Sequence, residues 1–180
     1  MSEQPPDNWE LPAGGKMKRP RLDIPRAQQE VFCDLIAAAV VLGVTAYLIG
    51  IWASLPATIP VHFNFAGQVD RWGSRNVLFL TSAVVLAMYI GLSILQRFPH
   101  IYNYPFGLTP ENVRRQYQLA RQLLTFIKTE VVCLFAFIQW QTVSVARGRG
   151  ETLGIWFLPF MMLVLFGTIA YHLVQASRAK

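Results

Sequence analysis

The sequence predicts an all-α membrane protein with four transmembrane helices and a short ribbon-like extracytoplasmic loop between the first two. Hydrophobic residues make up 53% of the chain and charged residues only 14%, against about 25% charged in an average soluble domain. The charges are grouped in blocks. Between the blocks lie nearly uncharged stretches of about 20 residues, the length that crosses the hydrocarbon core of a bilayer. A soluble fold would distribute its charges over every element.

Residues 1–30 are predicted to form a disordered, basic cytoplasmic tail. Prolines recur throughout this segment and exclude a regular helix. Its second half is basic, which favours contact with anionic lipid. The segment has no apolar core of the kind that a cleavable signal peptide needs, so we expect the first spanning helix to direct insertion.

The rest of the chain, residues 31–180, is predicted to form one four-helix membrane domain. The four spans are predicted at about residues 31–55, 76–96, 123–146 and 152–174. Before the third span, residues 109–122 are predicted to form an amphipathic helix on the cytoplasmic surface, because apolar residues recur there at helical spacing. Thr109 and Pro110 suit the start of this helix.

The distribution of basic residues predicts the orientation. Lys and Arg number eleven on the side of the two termini and four on the other side. Since cytoplasmic loops carry the excess of Lys and Arg, we expect a bacterial cytoplasmic (inner) membrane protein with both termini in the cytoplasm.

The net charge of +6 limits the class of partner. Because the basic residues flank apolar runs, the lipid bilayer is the expected partner and nucleic acid is not. A membrane or cytoplasmic protein could also dock on helix 109–122, and oligomerisation stays open. Cys33 and Cys133 lie in apolar runs without the spacing of a metal or redox motif.

Residues 56–75 have an unusual composition for a connecting loop. Val61, Phe63 and Phe65 alternate with His62 and Asn64, a period that predicts a strand with the two polar side chains on one face. The sequence Ala-Gly-Gln at 66–68 is a turn signal. We therefore expect the chain to return as a second strand, with Val69, Arg71 and Gly73 facing Phe65 and Phe63.

Three polar residues of this loop, His62, Asn64 and Asp70, could converge. An imidazole, an amide oxygen and a carboxylate would suit a divalent metal, with His62 and Asp70 as the candidate ligands. His62 and Asp70 could also form a general-base pair. Alternatively, the side chains satisfy backbone groups of the loop and Asp70 pairs with a neighbouring arginine.

The loop also has a long fixed pattern. Its elements are Pro56, Pro60, His62, Phe63, Asn64, Gly67, Asp70, Trp72, Gly73, Ser74 and Arg75. This pattern resembles the signature loop of a small bacterial membrane domain of unknown function, also found at the N-terminal end of SdpI-type immunity proteins. The resemblance covers about residues 48–96, and the family usually has Lys where this chain has Arg75.

The resemblance implies a role in immunity or sensing. SdpI-type proteins protect a cell from a secreted killing factor, and the best known member also sequesters a transcriptional repressor at the membrane. Those proteins carry a second membrane region that a chain of 180 residues is too short to contain in full.

Four ionisable residues fall inside the predicted spans at a similar cytoplasmic depth: Asp34, Lys128, Glu130 and His172. They could form a site for a proton, an ion or a lipid head group, or a polar contact that fixes helix packing. Lys128 and Glu130 are two positions apart and therefore point to opposite sides of a helix. Gln139 and Gln141, near the outer end of the same span, are expected to support the loop from below.

No catalytic motif of known mechanism occurs in the sequence. We therefore predict a non-enzymatic sensor, immunity protein or accessory subunit, which engages a partner or ligand through the outer loop with His62, Asn64 and Asp70 and through its basic cytoplasmic surface. The alternative is an intramembrane enzyme, or a lipid- or metal-binding protein, that uses the same three residues.

Overall fold

The structure is a computed structural model that describes residues 19–150 and 152–180. Four helices and two strands are defined by these bounds: α1 Gln28–Ile51, β1 Thr58–Phe63, β2 Val69–Ser74, α2 Val77–Leu95, α3 Val113–Ala146 and α4 Phe157–Arg178. All four helices are long and apolar enough to cross a membrane, which fits a multi-pass membrane protein. The prediction of four such helices is confirmed. The class "all-α" is corrected, because β1 and β2 pair into a small antiparallel sheet.

Helix α3 is the centre of the bundle. Each of the other three helices packs against it, and so does strand β1. Its 34 residues extend over about 51 Å, since the predicted surface helix, from Val113 onwards, is continuous with the third span. We call the end of the bundle that carries β1 and β2 the hairpin end. The opposite end, where residues 96–112 connect α2 to α3, is the bridge end.

Apolar side chains form three clusters along α3. The first joins α1, β1, α2 and α3 at the hairpin end, the second lies between α1, α2 and α3 near the middle, and the third lies at the bridge end. Their buried members are Leu48, Leu55, Ile59, Leu78 and Val143; then Ala37, Val85 and Val132; then Ile24, Val113 and Tyr117. Most other apolar side chains of the helices face outwards, as expected of helices surrounded by lipid.

Helix α1 begins three residues before its predicted start because of Glu30. The carboxylate of Glu30 accepts the backbone N–H of Ala27 at 2.7 Å, and this contact closes the first turn. Before the helix, residues 19–27 are extended, and Ile24 is buried at the bridge end of α3. Residues 1–18 of the predicted tail lie outside the described part of the chain.

Two helices begin later than predicted, for local reasons. Thr109 and Asn112 exchange hydrogen bonds between side chain and backbone, which shapes a turn, and α3 starts only at Val113. Helix α4 starts at Phe157 rather than near residue 152, because Gly154 has a φ of +88° that helices do not contain.

Strands β1 and β2 form an antiparallel hairpin whose turn comprises residues 64–68. Phe63 lies opposite Val69, and Ile59 lies opposite Gly73. The pairing is irregular on both sides of His62. The predicted ribbon is therefore present, but Phe65 belongs to the turn and not to the first strand.

Candidate functional site

The turn of the hairpin is built by the side chain of Asn64. Its Oδ1 accepts the backbone N–H groups of Ala66 at 2.9 Å and of Gln68 at 3.0 Å. The N–H of Asn64 donates in turn to the carbonyl of Gln68 at 2.8 Å. Asparagine stabilises many turns in this way. The amide oxygen that could have joined His62 in a binding site is thus engaged within the turn.

Gly67 allows the turn to dock on the loop between α3 and α4. Its φ is +75°, a conformation that favours glycine. Its carbonyl accepts the N–H of Leu153 at 2.7 Å, and Gln68 forms an antiparallel bridge with Thr152. A Cβ on Gly67 would lie 2.8 Å from backbone atoms of Gly154. Both the conformation and the available space therefore require glycine here.

Arg75 fastens the base of the hairpin to the end of α1. One guanidinium nitrogen donates to the carbonyl oxygens of Leu55 at 2.7 Å and Trp52 at 3.2 Å. The same guanidinium lies 4.8 Å from the centre of the Trp52 ring, which itself contacts Phe79. The guanidinium thus donates to two carbonyls just after the end of α1, and the planar cation lies over an aromatic face.

The two faces of the hairpin differ in exposure. Ile59 and Pro60 are buried, and Ile59 packs with Val143 of α3. Trp72, opposite Pro60 in the register, is 55% exposed, and Phe65 at the turn is 88% exposed. The buried face, the docked turn and Arg75 at the base hold the hairpin in place, while aromatic side chains project outwards.

His62 and Asp70 form a pair on the outer side of the hairpin. Nδ1 of His62 lies 2.6 Å from Oδ1 of Asp70, and both side chains are well exposed. When this contact is a hydrogen bond from Nδ1, the ring is oriented and Nε2 stays available to a ligand. The structure thus brings together two of the three predicted loop residues, and Asn64 is used elsewhere.

A metal centre would have few protein ligands at this place. Within residues 19–150 and 152–180, no group of three His, Cys, Asp or Glu side chains is arranged to hold a metal ion. His62 and Asp70 would supply two ligands. A metal bound there would take its remaining ligands from water or from a partner.

The four predicted intramembrane residues are divided between two faces of α3. On one face, Nζ of Lys128 lies 2.6 Å from Oδ1 of Asp34 in α1 and donates to Ser93 at 2.9 Å and Gln96 at 3.2 Å. The side chain of Lys128 is fully buried. Asp34 also contacts Arg26. Through this ion pair and these two hydrogen bonds, Lys128 ties α1, α2 and α3 together as a packing contact.

The other face of α3 carries Glu130, which contacts α4. Oε1 of Glu130 accepts the hydroxyl of Thr168, and His172 follows one turn later with Nδ1 2.9 Å from the Thr168 carbonyl. The ring of His172 lies 5.5 Å from that of Phe126. This α3–α4 contact is separate from the Lys128 contact, as the two-residue spacing of Lys128 and Glu130 predicts.

A second buried ion pair, between Glu30 and Arg121, was missed by the sequence analysis. The guanidinium of Arg121 contacts the two carboxylate oxygens of Glu30 at 2.8 and 3.1 Å. It also donates to the carbonyls of Ile24 and Pro25 at 2.8 Å each. Glu30 precedes Asp34 by one helical turn, so both carboxylates lie on one face of α1. This spacing was the signal in the sequence that could have placed Glu30 in the first helix beside Asp34.

The two glutamines near the hairpin end have different roles. Nε2 of Gln141 donates to the carbonyl of Thr152 at 2.6 Å, and Thr152 bridges Gln68 of the turn. Gln141 therefore supports the hairpin indirectly, as expected of it. Oε1 of Gln139 instead accepts the hydroxyl of Ser82 at 2.9 Å and joins α3 to α2.

Aromatic residues organise the bridge end. Burial raises the pKa of Tyr102 to about 12, and burial together with the neighbouring Tyr117 raises the pKa of Tyr104 further. Both hydroxyls therefore stay protonated and donate to backbone carbonyls, Tyr102 to Leu95 at 2.8 Å and Tyr104 to Pro99 at 2.7 Å. Burial lowers the pKa of His100, and the nearby positive charge of Arg21 lowers it as well.

Comparison with known proteins finds a match to the part of the chain that contains the hairpin. Residues 35–87 match the family model described as "Domain of unknown function (DUF1648)". A protein of Archaeoglobus fulgidus described as "Uncharacterized protein" is 31% identical over 62 residues, which is 30% of this chain and 34% of that protein. The chain thus spans about a third of the length of the curated relative that it matches. No solved structure matches the chain.

Proposed function

We propose that this chain is a non-enzymatic membrane protein of the sensor, immunity or accessory-subunit kind, which engages a partner or ligand through the outer side of its hairpin. The observation that carries the proposal is the exposed His62–Asp70 pair on a hairpin that is anchored at its turn, base and inner face. An anchored element loses little conformational freedom on binding, which favours recognition. Exposed Phe65 and Trp72 add contact area of the kind that binding sites use.

The resemblance of the loop to that of SdpI-type immunity proteins supports the same kind of role. The resemblance and the matched family domain both contain the hairpin. The basic surface at the bridge end, which includes the exposed Arg97, Arg115, Arg178 and Lys180, is proposed as a second contact surface for anionic lipid or a cytoplasmic partner. Oligomerisation of the chain would be compatible with either surface.

The first test is capture of partners from the native membrane. The full chain is cross-linked in intact cells, purified in mild detergent, and analysed by mass spectrometry for protein, lipid and metal. We expect a partner that cross-links at the hairpin with the unmodified chain and is reduced about tenfold by His62→Ala or Asp70→Asn. Such a loss corresponds to about 1.4 kcal/mol, which lies within the usual contribution of one hydrogen bond.

Thr58→Ala provides the matched control, because Thr58 is exposed on the same strand and away from the pair. Capture that is equal in His62→Ala, Asp70→Asn and Thr58→Ala would refute the role of the pair.

The same samples test a second candidate function, in which His62 and Asp70 act as metal ligands or as a general-base pair. A metal at fixed stoichiometry that is lost in His62→Ala would favour that candidate.

We also propose that the hairpin lies outside a bacterial cytoplasmic membrane and that both termini lie in the cytoplasm. The excess of basic residues on the side of the bridge end supports this orientation. In a chain with Cys33→Ala and Cys133→Ala, a cysteine in place of Ser74 is expected to react with a membrane-impermeant maleimide in intact cells. A cysteine in place of Asn103 should react only after lysis, and the reverse pattern would invert the proposed topology.

A further inference from the structure

A cleft of about 210 Å³ opens at the bridge end, away from the hairpin. It is bounded by the end of α2, the bridge, the first half of α3 and the end of α4. On α3 its lining extends from Gln116 to Ile127, about 16 Å of helix. Aliphatic side chains form most of the wall, including Leu119, Leu123 and Leu173. An elongated, mostly apolar cleft of this volume suits the hydrocarbon chain of a single lipid.

Most polar groups around the cleft already have partners inside the protein. The hydroxyls of Tyr102 and Tyr104 donate to backbone carbonyls of the bridge end. The amide of Gln116 donates to the carbonyls of Ala176 at 2.8 Å and Ala179 at 3.2 Å. These groups shape the cleft and have no donor left for a ligand.

Two polar residues of the lining are left, Asn103 and His172. Asn103 is exposed, whereas His172 lines the cleft although it is only 5% exposed. Its Nδ1 lies 2.9 Å from the carbonyl oxygen of Thr168, which can only accept a hydrogen bond, so the proton is on Nδ1. In the neutral ring Nε2 is then an acceptor. Within residues 19–150 and 152–180, Nε2 has no hydrogen-bond donor.

A second acceptor without a donor lies near His172. Glu130 and His172 both contact Thr168, whose hydroxyl donates to Oε1 of Glu130 and whose carbonyl oxygen lies 2.9 Å from Nδ1 of His172. Oε2 of Glu130 is enclosed and has no hydrogen-bond partner in the described part of the chain. A buried acceptor without a donor costs about 1–3 kcal/mol. A ligand that reaches His172 and donates a hydrogen bond would therefore be stabilised.

We propose that this cleft binds a lipid with a hydroxyl head group. The hydroxyl donates to Nε2 of His172, and the hydrocarbon chain lies along the aliphatic wall of α3. The chemistry is shared by straight-chain and isoprenoid alcohols. The site is independent of the hairpin and does not depend on the function proposed for it.

The test compares two ligands with the same hydrocarbon chain, one with a hydroxyl donor and one without it. The full chain in mild detergent is photolabelled with a diazirine-bearing long-chain alcohol and with the corresponding methyl ether, which has no O–H. We expect labelling of peptides from α3 and α4, with the alcohol bound about tenfold more tightly than the ether. His172→Phe is expected to remove that preference while it keeps binding of the ether, because the ring volume is retained. Competition by unlabelled straight-chain and isoprenoid alcohols then shows which of the two classes of alcohol binds the cleft more tightly.

A second variant tests the cleft itself. Ala120→Phe places a ring in the lining and is expected to weaken binding of both ligands, whereas Ala170→Phe on the exposed side of α4 should not. Labelling outside the cleft overturns the proposal. Equal affinity of the alcohol and the ether for the unmodified chain, or an alcohol preference that survives His172→Phe, also overturns it.

Discussion

Replacing Arg121 by methionine is expected to lower the free energy of unfolding by about 3–5 kcal/mol, the usual cost of breaking one side of a buried ion pair. Glu30 is only 1% exposed and would keep its carboxylate in the bundle without its cation. The carbonyls of Ile24 and Pro25 would lose their donor as well. The measurement is the unfolding transition of the purified chain in a detergent titration.

Two comparisons separate the ion pair from a general effect of charge. Arg115→Met removes an exposed arginine from the same helix and is expected to change stability by less than about 0.5 kcal/mol. The double variant Glu30→Leu with Arg121→Met should recover part of the loss, because no unpaired charge remains in the bundle. If Arg121→Met and Arg115→Met were equally stable, the pair would contribute nothing to the fold.

Replacing Gly67 by alanine is expected to release the hairpin turn from the loop between α3 and α4. The left-handed backbone alone costs a non-glycine residue about 1–2 kcal/mol. In addition, the new Cβ would lie 2.8 Å from backbone atoms of Gly154, which cannot move aside as a flexible side chain would. We expect hydrogen exchange at the amide of Leu153 to become faster, since its acceptor is the carbonyl of Gly67.

Gly148→Ala is the control that separates the effect of backbone strain from the loss of docking of the hairpin turn. Gly148 has a φ of +70°, close to that of Gly67, but a Cβ built on it would have no other atom of the described residues within 4 Å. Its replacement should carry the backbone strain alone and leave exchange at Leu153 unchanged. Equal protection of that amide in both glycine variants would show that the turn does not depend on this docking.

The sequence predicted the elements of the candidate site better than their partners. Alternating side chains and a turn signal indicated the hairpin, and the polar residues of its first strand indicated a site. Only the three-dimensional structure separates Asn64, which holds the turn, from His62, which pairs with Asp70. The reason is local geometry, because Oδ1 of Asn64 can reach the amides of Ala66 and Gln68 only once the turn is closed.

For the polar residues in the helices, too, the sequence predicted their positions better than their partners. Their presence in apolar spans predicted buried contacts, and the spacing of Lys128 and Glu130 predicted opposite faces. The partners of these residues lie on helices that are distant in sequence. Which groups meet depends on how each of these helices is oriented around α3. Glu30 was assigned to the tail for this reason, although in the structure it closes the first turn of α1 and binds Arg121.

The sequence by itself determined that four helices can cross a membrane and that a ribbon joins the first two. It also placed the ends of these helices to within about five residues, apart from the start of α3. Hydrophobicity and period are local properties, so they can be read along the chain. Only the tertiary structure decided that α3 is the central helix and that the hairpin turn docks on the loop before α4. It also decided that a cleft with His172 opens at the bridge end. These features depend on contacts between distant residues, which backbone hydrogen bonding within each helix does not specify.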